Sequence, residues 1–355
     1  MKLLHVVGAR PNFMKLAPVY LACKSIGLNQ FVVHTGQHYD NKMSDIFFRE
    51  LGIPKPNINL GIGSCSHATQ VGRIMIAIEK HLLSYLPDKV VVYGDVNSAV
   101  AAAFATVKLG IPIVHVEAGL RSFDRTMPEE INRIVVDQLS GILFTPSKDA
   151  NINLQKEGVK AKNIFFVGNV MIDTLKRLLP MAKGIELKFN SYALCTIHRP
   201  SNVDDVVKLP KLLNLLQDIS RKMPIIFPVH PRTKKQLDKI SKLKYNLSKI
   251  HFIEPVGYLE FLGLQKSADL VITDSGGIQE ETSYLGIPCL TLRPNTERPI
   301  TITKGTNKLI WNCTNEEILN DVDQIILGKW KKGGKIELWD GNAGIRIAKV
   351  LGNQS

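Results

Sequence analysis

Long hydrophobic runs are missing from this 355-residue chain. No stretch approaches the roughly 18–20 uncharged apolar residues of a membrane span. The apolar patch near the N-terminus, around Leu3–Val7, is too short for a signal peptide. Cysteine is scarce: Cys23, Cys65, Cys195, Cys289 and Cys313 form an odd set without CxxC spacing. That excludes a disulfide framework and suits reduced thiols in the cytoplasm. HxH, HExxH and paired Cys/His spacings are absent, so no metal is expected. No GxSxG elbow supports a serine nucleophile, and no GxGxxG fingerprint supports a dinucleotide. Tandem repeats and low-complexity tracts are also lacking. What remains is 45% hydrophobic and 22% charged, with a mean hydropathy of +0.02. This is an ordinary globular balance with enough length for two domains.

The formal charge of +13 is unevenly spread. Residues 162–250 carry 17 Lys and Arg against 6 Asp and Glu, whereas residues 251–355 carry 11 against 13. Between Lys234 and Lys249 the only aromatic residue is Tyr245. A single-strand nucleic-acid binder needs stacking groups that this stretch lacks. A solvated helical surface near an anionic-ligand site is the better reading, with no nucleic-acid or membrane partner.

Short β-branched runs alternate with amphipathic stretches. Strands are expected at Leu3–Val7, Phe31–His34, Val90–Tyr93, Ile113–Val116 and Ile142–Thr145. The second half repeats the rhythm at Phe165–Val167, Ala193–Thr196, Ile225–Val229, His251–Ile253, Leu270–Thr273 and Cys289–Leu292. Helical spacing marks Pro11–Ile26, His67–Leu86, Asn97–Leu109, Asp204–Lys222, Leu259–Lys266, Gly277–Tyr284, Asn315–Leu327 and Gly341–Leu351. Such alternation predicts an α/β fold with two doubly wound, Rossmann-like domains facing a central cleft. Residues 1–168 would form the first domain and 169–340 the second. The C-terminal helix, within 341–355, would pack back on the first.

Ligands in such sheets lie beyond the carboxyl ends of strands, and four stretches occupy that position. After the opening strand, Arg10 and Lys15 flank a helix start at Pro11, where free N–H groups favour an anion. Asp95 follows Gly94 at the end of an apolar strand and reads equally as a helix cap. Glu117 ends another strand within His115–Arg121, and Glu129 opens the helix after Pro128. Together these acids suit proton transfer; singly, each reads as structural. The run Asp274-Ser275-Gly276-Gly277-Ile278-Gln279-Glu280-Glu281 combines a strand, a glycine turn and a helix. Its amides form a diphosphate cradle without a Walker lysine, with Glu281 one turn inside and within reach of a ribose. His198 and His230 each end a strand beside an arginine.

With these residues in order, the chain resembles the non-hydrolysing UDP-N-acetylglucosamine 2-epimerase family. The likeness runs nearly end to end, through Gly8-Ala9-Arg10-Pro11, Gly36-Gln37-His38, Tyr93-Gly94-Asp95, His115–Arg121, Pro128–Arg133, Val167-Gly168-Asn169, His198-Arg199, Pro228–Pro231, Asp274–Glu281 and Thr296–Pro299. The resemblance implies the glycosyltransferase-B architecture and, without a cofactor, reversible inversion at C2 of UDP-GlcNAc to give UDP-ManNAc. The implied route eliminates UDP to a 2-acetamidoglucal and adds it back. Asp95, Glu117 and Glu129 then match the catalytic acids. Arg10, His198, Lys15 and the Ser275, Gly276 and Gly277 amides would hold the departing diphosphate. Glu281 matches a ribose-binding acid, and His230 and Arg298 match further cleft residues. The resemblance also implies a homodimer and a cytoplasmic role in surface polysaccharide supply. Some members carry an activating second UDP-GlcNAc on a glutamine-rich segment; here Gln37–Lys42 keeps only the first glutamine, so no such activation is expected. Alternatives are a related UDP-2-acetamido sugar (diacetamido or uronate) as substrate, a retaining glycosyltransferase on the same fold, or a non-catalytic nucleotide-binding module.

Overall fold

Two wholly parallel sheets organise the chain. The computed structural model describes residues 1–36, 45–186, 189–239 and 247–353. Gln37-His38, the rest of the glutamine segment to Lys42, and Tyr245 with its neighbouring lysines lie outside the described residues. The first sheet contains β1 (Lys2–Val7), β2 (Asn29–His34), β3 (Ile58–Asn59), β4 (Lys89–Tyr93), β5 (Ile113–Val116), β6 (Ile142–Thr145) and β7 (Ile164–Phe166). Its strand order is β3-β2-β1-β4-β5-β6-β7. The second contains β8 (Ala193–Thr196), β9 (Ile225–Pro228), β10 (Ile250–Ile253), β11 (Leu270–Thr273), β12 (Cys289–Thr291) and β13 (Asn307–Leu309), in the order β10-β9-β8-β11-β12-β13. Each is therefore a doubly wound α/β sheet, as the alternating sequence pattern predicts.

The central strands are mostly apolar because helices cover both faces. Val90, Val91, Val92 and Tyr93 of β4 are all buried. In the first sheet, Leu4, Val6 and Val92 pack with Ile78 and Leu82 from the helix His67–Tyr85. In the second, Leu216 and Ile219 of the helix Lys208–Lys222 pack with Ile225, Phe227 and Ile272. Two strands escape the sequence pattern, β3 and β13; both are edge strands too short to show a period. The helix expected at Asp204–Lys222 starts only at Lys208, and a separate short helix, Pro200–Val203, precedes it. The Asp205 carboxylate is the cause, since it accepts the N–H groups of Val207 and Lys208 at 2.9 and 3.0 Å. It thereby restarts the helix after a turn.

The chain divides into two compact units, Met1–Leu178 with Glu337–Ser355, and Leu179–Ile336. The first unit thus includes the helix Val170–Leu178, which follows the Gly168-Asn169 turn, and the C-terminal helix Ala343–Gly352. The latter crosses the helix Arg10–Ser25 at Gly344, where a Cβ would lie 2.5 Å from the Pro18 carbonyl oxygen. Its N-terminus is held by Asp173, whose buried carboxylate accepts the Ala343 and Gly344 N–H groups at 3.1 and 2.7 Å. Trp339 Nε1 donates to the Pro146 carbonyl at 2.9 Å.

In each sheet the strand order reverses once, between β1 and β4 and between β8 and β11. The loops leaving these strands diverge there and open a crevice. Residues 8–10 and 94–95 lie at the first such point, residues 197–199 and 274–277 at the second.

Replacing Asp173 with Ala leaves two buried N–H groups without a partner. It is expected to cost about 2 kcal/mol, read as a lower urea midpoint and faster proteolysis of the C-terminal helix. An unchanged midpoint would show that water replaces the cap.

Candidate functional site

In the first unit, the turn after β1 enters the helix Arg10–Ser25 through Pro11. Asn12, buried at the start of that helix, accepts the Gly8 and Ala9 N–H groups at 3.2 and 2.9 Å. Its Nδ2 donates to the Tyr93 carbonyl at 3.0 Å, which ties this turn to the end of β4. Arg10 is half-buried, with its guanidinium 5.3 Å from the Phe47 ring centroid. One turn further on, Lys15 is buried and forms a direct ion pair with Glu117.

Glu117 sits immediately beyond β5 with φ +74°, a left-handed conformation uncommon for a residue with a side chain. Its own N–H and that of Ala118 both reach the Phe144 carbonyl, at 3.1 and 2.9 Å. Opposite the ion pair stands Gly94, itself at φ +63°. A Cβ there would lie 2.7 Å from Lys15 Nζ and 2.9 Å from Glu117 Oε2. The next residue, Asp95, receives Arg133 Nε and Nη2 on one carboxylate oxygen at 2.9 and 2.8 Å. The Asp95 carbonyl accepts from Asn132 Nδ2 at 2.8 Å. Glu129 is exposed on the first turn of the helix Pro128–Leu139 and joins neither pair. Its neighbour Glu130 is buried and accepts the Ser122 and Phe123 N–H groups at 2.9 Å each, so it shapes the loop after β5.

In the second unit, β11 runs into Asp274 and Ser275, and the helix Gly276–Leu285 begins at once. Its first N–H groups have no intrahelical acceptor and carry the positive end of the helix dipole. A Cβ at Gly277 would meet nothing within 4 Å, so an anion can approach the backbone there. At Gly276 a Cβ would instead collide with Arg298 Nη1 at 2.7 Å. Glycine at this position lets the guanidinium lie against the helix start. Arg298 is buried between Glu280, 2.7 Å from its Nε, and Glu297.

Asp274 is fully buried and accepts the N–H groups of His198 and Arg199, at 3.1 and 2.8 Å, and Asn202 Nδ2 at 3.0 Å. It also pairs with His198 Nδ1 at 3.2 Å. Burial alone would raise its pKa, but the bond to His198 and the other donors hold it below the ordinary value. The His198 ring lies 5.5 Å from that of His230. His230 Nδ1 accepts the Arg232 N–H at 3.1 Å. Desolvation, with His198 and Arg232 nearby, lowers its pKa and favours the neutral ring. Within the helix, Glu281 is buried and accepts from the Tyr258 hydroxyl at 2.8 Å. Burial pushes its pKa up to about 7.

The structure thus joins Lys15 with Glu117 in the first unit. In the second it brings His198 and His230 together, and sets Arg298 beside Ser275–Gly277. Asn12, Arg133 and Asp274 form the partners that hold these groups, and no sequence spacing marked them as such. Only the strand-end position of Asp274 gave a signal. Among the described residues, no group of three or more His, Cys, Asp or Glu side chains is arranged to hold a metal ion.

Comparison with known proteins follows the same lines. The family model for UDP-N-acetylglucosamine 2-epimerase matches residues 22–352. A UDP-N-acetylglucosamine 2-epimerase of Methanocaldococcus jannaschii is 45% identical over 365 residues, covering 99% of either chain. A UDP-2,3-diacetamido-2,3-dideoxy-D-glucuronate 2-epimerase of Pseudomonas aeruginosa is 41% identical, again over 99% of both. The crystal structure of the Methanocaldococcus jannaschii enzyme in complex with UDP-GlcNAc and UDP superposes with a TM-score of 0.89, at 43% identity, covering 99% of this chain and 100% of that one.

Gly94→Ala places a methyl group against the Lys15–Glu117 pair at a φ that disfavours it. A loss of about 2 kcal/mol is expected from strain and the displaced pair, measured by urea unfolding of the purified variant. A midpoint equal to that of the parent would mean the pair has room to shift.

Proposed function

The chain belongs to the UDP-N-acetylglucosamine 2-epimerase family, and from that premise we propose that it interconverts UDP-N-acetylglucosamine and UDP-N-acetylmannosamine. The observation that carries the reading is Glu117. A buried carboxylate at positive φ, paired with a buried lysine at a sheet switch point, is a costly arrangement that nucleotide binding alone does not require.

In the proposed reaction a carboxylate takes the proton from C2. The C1–O bond breaks, and its electron pair leaves with UDP while C1 and C2 become doubly bonded. On return, the UDP oxygen attacks C1 and a second acid protonates C2 from the opposite face. Glu117, Asp95 and Glu129 supply these acids and bases. The C2 proton is weakly acidic, so stabilising the leaving diphosphate must carry much of the barrier reduction. By the family resemblance, that work falls to Arg10, Lys15, His198, His230, Arg298 and the Ser275, Gly276 and Gly277 amides. Glu281 takes the ribose hydroxyls. The unpaired cysteines support a cytoplasmic setting for this chemistry. A homodimer and a role in surface polysaccharide supply rest on the family resemblance. A second reading, with a 2,3-diacetamido uronate as the sugar, is favoured by the 41% identity to the Pseudomonas aeruginosa relative.

Incubating UDP-GlcNAc with the protein in deuterated water should place deuterium at C2 of the UDP-ManNAc formed. Product without that label would sink the elimination route, and turnover confined to the diacetamido uronate would favour the second reading.

The ribose site carries its own pH signature. The raised pKa of Glu281 leaves it largely protonated below about pH 7. Ribose hydroxyls donate to the ionised form, so UDP binding must expel that proton at lower pH. The Kd for UDP is expected to rise by up to about tenfold per unit as pH falls below 7. Titration calorimetry should show that Glu281→Gln binds more weakly at pH 8 and loses this slope. A wild-type Kd constant from pH 5.5 to pH 8 would remove Glu281 from the ribose site.

A further inference from the structure

We propose that His115 and Asp137 are positioning residues that hold Glu117 in its reactive place. The proposal rests on the reading of Glu117 as an acid–base group. It comes from a chain of buried contacts that the reaction itself does not use.

His115 lies on β5, two residues before Glu117, with its side chain sealed from solvent. Its Nε2–H donates to the Gly94 carbonyl at 2.9 Å. The other ring nitrogen, Nδ1, lies 2.6 Å from Asp137 Oδ1. Asp137 sits near the end of the helix Pro128–Leu139. Its second oxygen accepts the Gly119 N–H at 3.1 Å and pairs with Arg121 Nη1 at 2.7 Å. Arg121 in turn forks onto both carboxylate oxygens of Glu157, at 2.8 and 2.6 Å.

The two ends of this relay are backbone groups on either side of the ion pair. Gly94 is the residue whose missing Cβ makes room for Lys15 and Glu117. Gly119 has φ +81°, and a Cβ there would lie 2.5 Å from the Ala150 carbonyl oxygen. A residue held at an unfavourable φ persists only when its surroundings over-determine it. Glu117 is such a residue. The hydrogen bonds from His115 to Gly94, and from Gly119 to Asp137, fix the backbone facing it and the backbone following it. A buried polar cluster serving stability alone gains little over apolar side chains of similar volume. Ending on the two backbone points that frame Glu117 is what a positioning role requires.

The test compares His115→Gln, which retains one donor, with Asp137→Asn, which keeps the shape and one acceptor. The expected result is a fall in kcat of about 10²-fold, as for a misplacement of about 1 Å. KM for UDP-GlcNAc and the Kd for UDP should stay within about threefold, because binding of the nucleotide is left intact. The pH profile of kcat should shift, and crystal structures of the variants should show Gly94 and the Glu117 carboxylate displaced. Four results would overturn the proposal: kcat within about threefold of the parent in both variants, UDP affinity falling in step with kcat, an unmoved Glu117, or neither variant folding. A wild-type protein inactive on UDP-GlcNAc would instead refute the proposed function, and the displacement of Glu117 would still decide the positioning.

Discussion

A lysine and a glutamate almost without access to water face each other at the end of the first sheet, and much of the surrounding backbone exists to let them. Taking both charges out of water is expensive, and their attraction repays it only in good geometry. Good geometry here needs a residue without a side chain at Gly94 and a left-handed backbone at Glu117. The Asn12 side chain then fastens the turn bearing the lysine's helix to the end of β4. A loose version of the same turn would leave Glu117 buried and unpaired. The strain at Glu117 and the order around it therefore imply one another.

The second unit meets a different constraint. The turn into its helix, Ser275–Gly277, has no lysine, and backbone N–H groups at a helix start can meet an anion when nothing shields them. Gly277 leaves that approach open, while Gly276 admits the Arg298 guanidinium alongside it. The same helix carries Glu281 one turn further in, where burial raises its pKa. One helix thus sets open amides at its start and a buried carboxyl at Glu281 at a fixed spacing, about a single turn of backbone.

Most of the fold was legible from the apolar strands. Val90–Tyr93 and Leu270–Thr273 are runs of buried residues with turn signals at their ends, and both appear as central strands. Two nine-residue helices, Lys148–Lys156 and Val170–Leu178, escaped along with elements that are very short or governed by one side chain. Nothing periodic marks Ile58–Asn59 or Asn307–Leu309, and the break before Lys208 depends on where one carboxylate, that of Asp205, finds its donors. For the candidate site, strand-end position revealed which residues stand at the switch points. It could not show that Arg133 holds Asp95, or that Asp274 holds His198. Those pairings join residues 38 and 76 positions apart in the chain, and only packing sets them.

The basic excess of residues 162–250 also takes on a different meaning. Several of the cationic groups near the second switch point are already matched. Asp274 faces His198 and Asp204 meets Arg232 at 2.8 Å, while outside that stretch Glu280 and Glu297 flank Arg298. Further out, Lys222 pairs with Asp323 and Lys234 with Glu254. Formal charge in that stretch therefore overstates what a ligand would feel. An anion at the Ser275–Gly277 turn would be held chiefly by oriented amides, whose partial charges need no counterion. Neutralised arginine and histidine neighbours serve such a site better than bare cations would. They donate hydrogen bonds in fixed directions.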